Sequence, residues 1–166
     1  TQVYLVKALG NTDKIKKARK GVLEFLFLNH PIDCPICDQA GECSLQDYYV
    51  EHGLYDSRLS TDKVRKSKAL QIGKNVMLDS ERCVLCARCV RFTREITKTN
   101  ELAIFNRGNH SEIGVVQGKT LDNDYSVCTA DVCPVGALTS KDFRFKKRVW
   151  YLSVTNSICN QCSNGC

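Results

Sequence analysis

The spacing of the cysteines constrains this chain more than any other feature of its sequence. Ten of the eleven cysteines in 166 residues fall into three groups, and a histidine precedes the first group. The groups are His30, Cys34, Cys37 and Cys43; then Cys83, Cys86 and Cys89, followed after 43 residues by Cys133; and lastly Cys159, Cys162 and Cys166. Disulfide frameworks usually have even counts, whereas clustered cysteines in a reducing compartment more often hold metal or do redox chemistry. We therefore expect metal or cluster sites.

The prolines support ligand roles for these residues. Each of the three prolines in the chain directly follows a predicted ligand: Pro31, Pro35 and Pro134. Proline fixes φ and has no N–H, so it keeps the chain out of a helix where a side chain must point inward. The Cys133-Pro134 pair also matches the proline that follows the last cysteine of ferredoxin motifs. Gly41 and Gly165 suit a backbone that curves closely past a bulky object.

The second group favours an iron–sulfur cluster over zinc. Its first three cysteines are separated by two residues each; such a run surrounds an extended object, whereas zinc sites more often pair two cysteines from each of two segments. Three close thiolates and one distant Cys-Pro are typical of ferredoxins that bind a four-iron cluster. The first group alone, with three cysteines and one histidine, would also suit tetrahedral zinc. A scaffold with structural zinc at the first group therefore stays open as an alternative.

The histidine of the first group predicts a higher reduction potential than four cysteine ligands would give. A neutral imidazole in place of a thiolate removes one negative charge from the shell of the cluster. Adding an electron then costs less free energy, and known histidine-ligated clusters have raised potentials. We therefore expect His30 to raise the potential of the first cluster.

The bulk composition is that of a soluble globular protein. The formal charge of +6 omits thiolate ligands, and the basic residues are spread without the aromatic interleaving of single-strand nucleic-acid binders. The longest apolar stretch, residues 22–28, is too short to span a bilayer, and the first residues do not resemble a signal peptide. The sequence thus predicts a soluble protein of a reducing compartment.

Local patterns predict several short elements. Ile15, Ala18, Val22 and Leu26 recur at helical spacing, which predicts a helix over residues 13–29 with Thr12 or Asp13 as cap and a buried second half. Further helices are predicted over 44–52, capped by Ser44, and over 87–96. Residues 56–70 are a predicted connector. Strands are predicted within 72–78, 101–107, 113–119 and 149–155.

Four stretches carry a resemblance to a known family. They are NHPIDCPICDQAGECSLQD (29–47), CVLCARCVRF (83–92), DVCPVGALTSKDFRFKKRVW (131–150) and CNQCSNGC (159–166). Together they resemble the large iron–sulfur subunit (the G subunit) of bacterial respiratory complex I, the NADH:quinone oxidoreductase. The resemblance covers residues 13–166.

This resemblance implies an α+β fold in three parts. A small irregular helical domain with a histidine–three-cysteine cluster is expected over residues 1–68. A ferredoxin-like α+β cluster domain is expected over 69–148, and the start of a molybdopterin-oxidoreductase-like domain over 149–166. The implied cofactors are a [4Fe–4S] cluster on His30, Cys34, Cys37 and Cys43 and another on Cys83, Cys86, Cys89 and Cys133. A third [4Fe–4S] cluster on Cys159, Cys162 and Cys166 would lack its fourth ligand in this chain.

The resemblance also implies a role in electron transfer. Single electrons would pass from a flavin-bearing, NADH-binding partner subunit through the clusters toward quinone, with other iron–sulfur subunits as further partners. The chain would reach quinone and the membrane only through its partners, in the peripheral arm on the cytoplasmic face of the inner (plasma) membrane. Because the protein performs no bond chemistry, no catalytic residue is expected, and no nucleic acid is expected as a partner.

The chain departs from the family pattern at three points. The binuclear ferredoxin domain that begins family members is absent, and so is the large domain that follows the third group. An internal fragment, a partial chain or a split subunit is therefore expected. Cys128 is interpreted as a buried small hydrophobe, with a substitute ligand for the third group as the alternative. An NAD-linked formate dehydrogenase or bidirectional hydrogenase is the alternative family, although its two adjacent ferredoxin motifs do not match the single close triplet here.

Overall fold

A capped helix leads into the first cysteine group. The structure, a computed structural model, describes residues 12–158. Helix α1 covers Asp13–Phe27, and the hydroxyl of its N-cap Thr12 accepts a hydrogen bond from the backbone N–H of Ile15. The predicted helix and its cap are confirmed. The predicted burial of its second half is wrong, because Val22 and Phe25 are 60% and 77% exposed and Leu23 is the buried residue.

A second helix completes the first cysteine-bearing unit. A short 3₁₀ turn covers Cys34–Ile36, and helix α2 covers Ser44–His52. Cys43 is the N-cap of α2 and Ser44 is its first residue, so the cap lies one position earlier than predicted. Helix α2 packs against α1, and a small buried core beside them contains Leu23, Leu45, Val135 and Ala137.

Two small antiparallel sheets form the second unit. One sheet has the order β1-β2-β5, with β1 at Leu70–Gln71, β2 at Val76–Leu78 and β5 at Leu138–Ser140. The other pairs β3 (Leu102–Phe105) with β4 (Glu112–Val115), and Leu102 lies opposite Val115. The strands predicted within 72–78, 101–107 and 113–119 are confirmed at their apolar centres. The mixture of helices and small sheets confirms the α+β class.

Short helices carry the second cysteine group. Helix α3 covers Arg88–Arg91 and continues as a π-helical turn over Phe92–Ile96, close to the predicted helix over 87–96. Helix α4 covers Cys128–Asp131, and 3₁₀ turns cover Gly108–His110 and Val149–Tyr151. The core between the sheets contains Ile72, Val76, Leu78, Cys89, Leu102, Ile113, Leu121 and Leu138. Cys89 is part of this core, and Cys83 and Cys133 pack against it.

The strand predicted over residues 149–155 is wrong. A 3₁₀ turn covers Val149–Tyr151, and irregular chain follows it. The alternating residues Trp150, Leu152 and Val154 are all exposed, so they do not form the inward face of a strand. No helix within residues 12–158 has the length and apolar content that a membrane crossing requires.

Core truncation tests the packing of the second unit. Leu121 is fully buried within the core and its backbone N–H donates to the carbonyl of Ile72 at 2.9 Å. We expect Leu121→Ala to lower the free energy of unfolding by about 2–5 kcal/mol, because a cavity is left where the side chain was. Thermal unfolding of the cluster-loaded protein measures this, with half-exposed Leu152→Ala as the control. Equal midpoints for both variants would contradict the assigned core.

Candidate metal centres

The four predicted ligands of the first group line one cavity. His30 follows the end of α1, Cys34 begins the 3₁₀ turn, Cys37 follows it, and Cys43 caps α2. All four side chains lie on the wall of a single cavity. Its other walls are largely apolar, and they include Phe27, Leu45, Tyr49 and Val135. The structure thus brings together every member of the first predicted set.

His30 is held so that one ring nitrogen has no partner in the protein. Its Nδ1 atom is buried and makes no hydrogen bond. The ring of Phe27 contacts the imidazole edge-on at 5.9 Å between centroids, and the backbone carbonyl of His30 accepts a hydrogen bond from Lys63 Nζ at 3.1 Å. Burial is the main cause that lowers the pKa of His30, which favours the neutral imidazole. Neutral imidazole with a free nitrogen is the form that ligates metal.

The four predicted ligands of the second group line another cavity. Cys83, Cys86, Cys89 and Cys133 share it with apolar residues of the core. The loop that carries Cys83, Cys86 and Cys89 turns sharply, because Leu85 and Ala87 adopt left-handed backbone conformations with φ of 54° and 58°. Alternating backbone conformations of this kind form N–H-lined concavities that bind anionic groups, iron–sulfur clusters among them. The N–H of Leu85 donates to Cys83 Sγ at 3.4 Å.

Burial disfavours the thiolate forms of five of the predicted cysteine ligands. It raises the pKa of Cys83 and Cys133, and it raises the pKa of Cys89 to about 12. The same cause raises the pKa of Cys34 and Cys37 at the first site. Hydrogen bonds from the backbone N–H groups of Val135, Ala137 and Leu138 lower the pKa of Cys133 and so oppose the effect of burial. Metal binding couples to deprotonation at such sites, because thiolates are the ligands.

One stretch of backbone, residues 134–136, separates the two cavities. Val135 lines both of them. Cys43 Sγ of the first set lies 3.8 Å from the carbonyl oxygen of Pro134, the residue directly after Cys133 of the second set. A Cβ atom on Gly136 would overlap with Cys37 Sγ, so glycine permits the close approach. We call residues 134–136 the dividing segment.

The chain after β5 closes over the loop of the first site. Arg148 Nη2 donates to the carbonyl of Pro35 at 2.6 Å, and its Nη1 donates to the carbonyl of Cys37. The N–H of Phe145 donates to Asp38 Oδ1 at 2.8 Å, and Trp150 packs closely against Gly41. Sequence reasoning missed Arg148 and Gly136. Both residues lie close to the predicted ligands only in the folded chain, through contacts between segments about a hundred residues apart. The spacing of residues within a motif carries no information about such contacts.

Cys128 lies outside both ligand sets. It begins helix α4 and is partly buried, and it is not among the residues that line either cavity. The eight cysteines within residues 12–158 are all free thiols. The predicted third group of Cys159, Cys162 and Cys166 lies outside the described residues.

The donor sets fit iron–sulfur clusters in number and chemistry. Each cavity is lined by four soft or borderline donors, and iron–sulfur clusters are bound by cysteine thiolates with histidine as the known substitute. The unpartnered Nδ1 of His30 leaves one ring nitrogen available as a ligand at the first site. Within the described residues, no three His, Cys, Asp or Glu side chains converge tightly enough for a single metal ion.

Two family models match the two cysteine-bearing units. Residues 19–58 match the NADH-ubiquinone oxidoreductase-G iron-sulfur binding region, and residues 73–139 match the ferredoxin-like domain of NADH-quinone oxidoreductase subunit 3. Together with the two donor-lined cavities, these matches define an iron–sulfur-binding protein of the ferredoxin-like α+β type.

Curated relatives identify the particular protein family. The chain is 41% identical to the G subunit of NADH-quinone oxidoreductase from Streptomyces coelicolor over 100% of this chain and 20% of that protein. It is 45% identical to the same protein of Rickettsia typhi over 89% of this chain and 22% of that protein. The chain is therefore homologous to a segment of the G subunit of NADH-quinone oxidoreductase, and it spans about a fifth of the length of these relatives.

A solved structure has the same fold. The crystal structure of an NAD⁺-reducing [NiFe]-hydrogenase in the H₂-reduced state aligns with a TM-score of 0.69 and 28% sequence identity. The alignment covers 84% of this chain and 60% of the hydrogenase chain.

Proposed function

We propose that this chain is an electron-transfer part of NADH:quinone oxidoreductase. It passes single electrons from a flavin-bearing partner subunit through [4Fe–4S] clusters toward quinone. The observation that carries the proposal is the dividing segment, because two cavities lined by four cluster-type donors each are separated there by a single stretch of backbone. The relatives are named as subunits of this oxidoreductase, which supports the same activity for this chain.

The proposed ligand assignments follow the two cavities. His30, Cys34, Cys37 and Cys43 hold one [4Fe–4S] cluster, and Cys83, Cys86, Cys89 and Cys133 hold the other. Cys159, Cys162 and Cys166 are proposed as three ligands of a third [4Fe–4S] cluster. Residues 1–68, 69–148 and 149–166 are proposed as the three corresponding domains, the last being the start of the molybdopterin-oxidoreductase-like domain.

A [4Fe–4S] cluster supplies one-electron redox chemistry, and the residues of the chain supply position and surroundings. Val135 is nearly fully buried and lines both cavities, so it excludes water where the two cavities adjoin. The N–H groups that face Cys83 and Cys133 stabilise negative charge on sulfur. No proton has to move in this process, which is why no catalytic acid or base is assigned.

The proposed setting is the peripheral arm of the respiratory complex. Its partners are the flavin- and NADH-binding subunit and the other iron–sulfur subunits, and it reaches quinone and the membrane only through them. The cytoplasmic face of the inner (plasma) membrane is the proposed location.

Rapid freeze-quench EPR of the assembled complex tests this function. After mixing with NADH, signals from both clusters are expected to appear within one turnover, because both lie on the route to quinone. If both clusters stayed oxidised during turnover, the proposal would be wrong.

The hydrogenase neighbour makes a second function worth testing. Its similarity in fold supports an electron-transfer part of an NAD-linked hydrogenase or formate dehydrogenase. The curated relatives favour the quinone-linked enzyme, because they match the whole chain at higher identity. Reduction of the clusters in the native complex by H₂ or formate, without NADH, would favour the second function.

Exchange of the histidine ligand tests the predicted tuning of the first cluster. We expect His30→Cys to lower the reduction potential of that cluster, by an amount on the order of 100 mV, because a thiolate adds one negative charge to the shell. EPR-monitored redox titration of the variant complex measures the shift. The second cluster serves as the internal control. An unchanged potential in a variant that retains its cluster would contradict the assigned role of His30.

A further inference from the structure

A buried arginine from the second-site segment contacts the loop of the first site. Arg82 is 3% exposed and lies immediately before Cys83. Its Nη2 donates to Asp33 Oδ2 at 2.7 Å, and its Nε donates to Asp33 Oδ1 at 3.2 Å. Asp33 in turn lies immediately before Cys34. Two hydrogen bonds fix the geometry of an arginine–carboxylate pair. The pair therefore links the residue before Cys83 of the second set to the residue before Cys34 of the first set.

Arg82 makes one further contact with the loop of the first site. Its Nη2 lies 3.4 Å from the carbonyl of Ile36, which precedes Cys37. One residue of the second-site segment therefore contacts the residues that precede two first-site ligands, Cys34 and Cys37.

The charges of this pair act on the first site in opposite directions. The positive charge of the Arg82 guanidinium stabilises added negative charge at the first site, whereas the negative charge of the Asp33 carboxylate destabilises it. The groups around the pair are Asp79, Glu81 and Lys68, with Arg82 Nη1 at 3.5 Å from Asp79 Oδ2 and Lys68 Nζ at 3.4 Å from Asp33 Oδ2. Because the pair is shielded from solvent, removing either charge changes the local field more than removing a surface charge.

We infer that Arg82 and Asp33 are positioning residues for the first site. Arg82 belongs to the segment of the second site, and through Asp33 it holds the ligand loop of the first site in place. Their fixed geometry holds the ligand loop, and their opposite charges set the reduction potential of the first cluster in opposite directions. This inference rests on the proposed function, since it requires a redox-active cluster at the first site.

Redox titration of the assembled complex, monitored by EPR, tests the inference. Arg82→Gln is expected to shift the potential of the first cluster downward, because a cation that favours the reduced form is lost. Asp33→Asn is expected to shift it upward, and Arg82→Lys is expected to shift it less than Arg82→Gln does. In each variant the second cluster is expected to shift less than the first, because the hydrogen bonds of the Arg82 guanidinium go to Asp33 and Ile36 on the loop of the first site. Arg58→Gln removes an exposed pair with Glu24 and is the control that leaves both potentials unchanged.

The outcomes separate this inference from the proposed function. Shifts of the same sign in Arg82→Gln and Asp33→Asn, or no shift in either, would overturn the inference while the clusters remain. If the single variants fail to assemble the first cluster, the double variant Asp33→Asn/Arg82→Gln is expected to recover it, because two neutral amides can hydrogen-bond to each other. Loss without such recovery would also overturn the inference. Absence of [4Fe–4S] signals from the unmodified complex would instead overturn the proposed function.

Discussion

Replacement of Cys89 by alanine is expected to remove the second cluster and leave the first in place. Cys89 is buried within the core and lines the second cavity with three other cysteines. Loss of one of the four ligands leaves the cluster with three thiolates and opens it to exchange. The purified complex is expected to lose about four iron atoms per copy of this chain, together with the corresponding EPR signal.

The matched control for this experiment is Cys128→Ala. Cys128 is a free, partly buried cysteine of the same chain that does not line either cavity. The Cys128→Ala variant should keep all of its iron and the EPR signals of both clusters. Iron loss from Cys128→Ala equal to that from Cys89→Ala would show that general destabilisation, and not ligand removal, explains the effect.

Addition of one methyl group at Gly136 is expected to disrupt the first site. The new Cβ would overlap with Cys37 Sγ, far inside van der Waals contact. Cys37 cannot move away and still serve as a ligand, and Gly136 belongs to the dividing segment, which lies between the two cavities. We therefore expect Gly136→Ala to lose or strongly alter the EPR signal of the first cluster, with a smaller effect on the second.

Gly21→Ala provides the control for Gly136→Ala. Gly21 lies within α1, and a Cβ atom there would meet no atom within 4 Å. Alanine is also the better helix former, so this variant should keep both clusters with equal or higher stability. An unchanged first-cluster signal in Gly136→Ala would contradict the assignment of Cys37 as a ligand in this geometry.

The sequence predicted the local features of the sites well, because they depend on short-range spacing. The helical period and the cap Thr12 predicted α1, and the proline after His30 predicted the turn that ends the helix region. The spacing of the cysteines predicted which side chains gather, and the cavities gather the same two sets of four. These features are set by neighbours within a few residues, which is the range that periodicity and turn chemistry describe.

The missed features depend on contacts between distant segments. Arg148, Gly136 and Arg82 each reach the first site from more than forty residues away, and a single sequence carries no signal for such contacts. The strand predicted over 149–155 failed for the same reason. Its alternating pattern was correct for a strand, but Arg148 binds the carbonyl of Pro35 and Trp150 packs on Gly41, which bends the chain into a 3₁₀ turn.

Anomalous scattering from anaerobically prepared crystals of the complex tests the identity of the two metal centres most directly. Data collected at the iron and zinc absorption edges should place a four-iron cluster in the cavity of His30, Cys34, Cys37 and Cys43, and another in that of Cys83, Cys86, Cys89 and Cys133. A single zinc atom at each of these two positions would contradict the assignment and the electron-transfer function that depends on it.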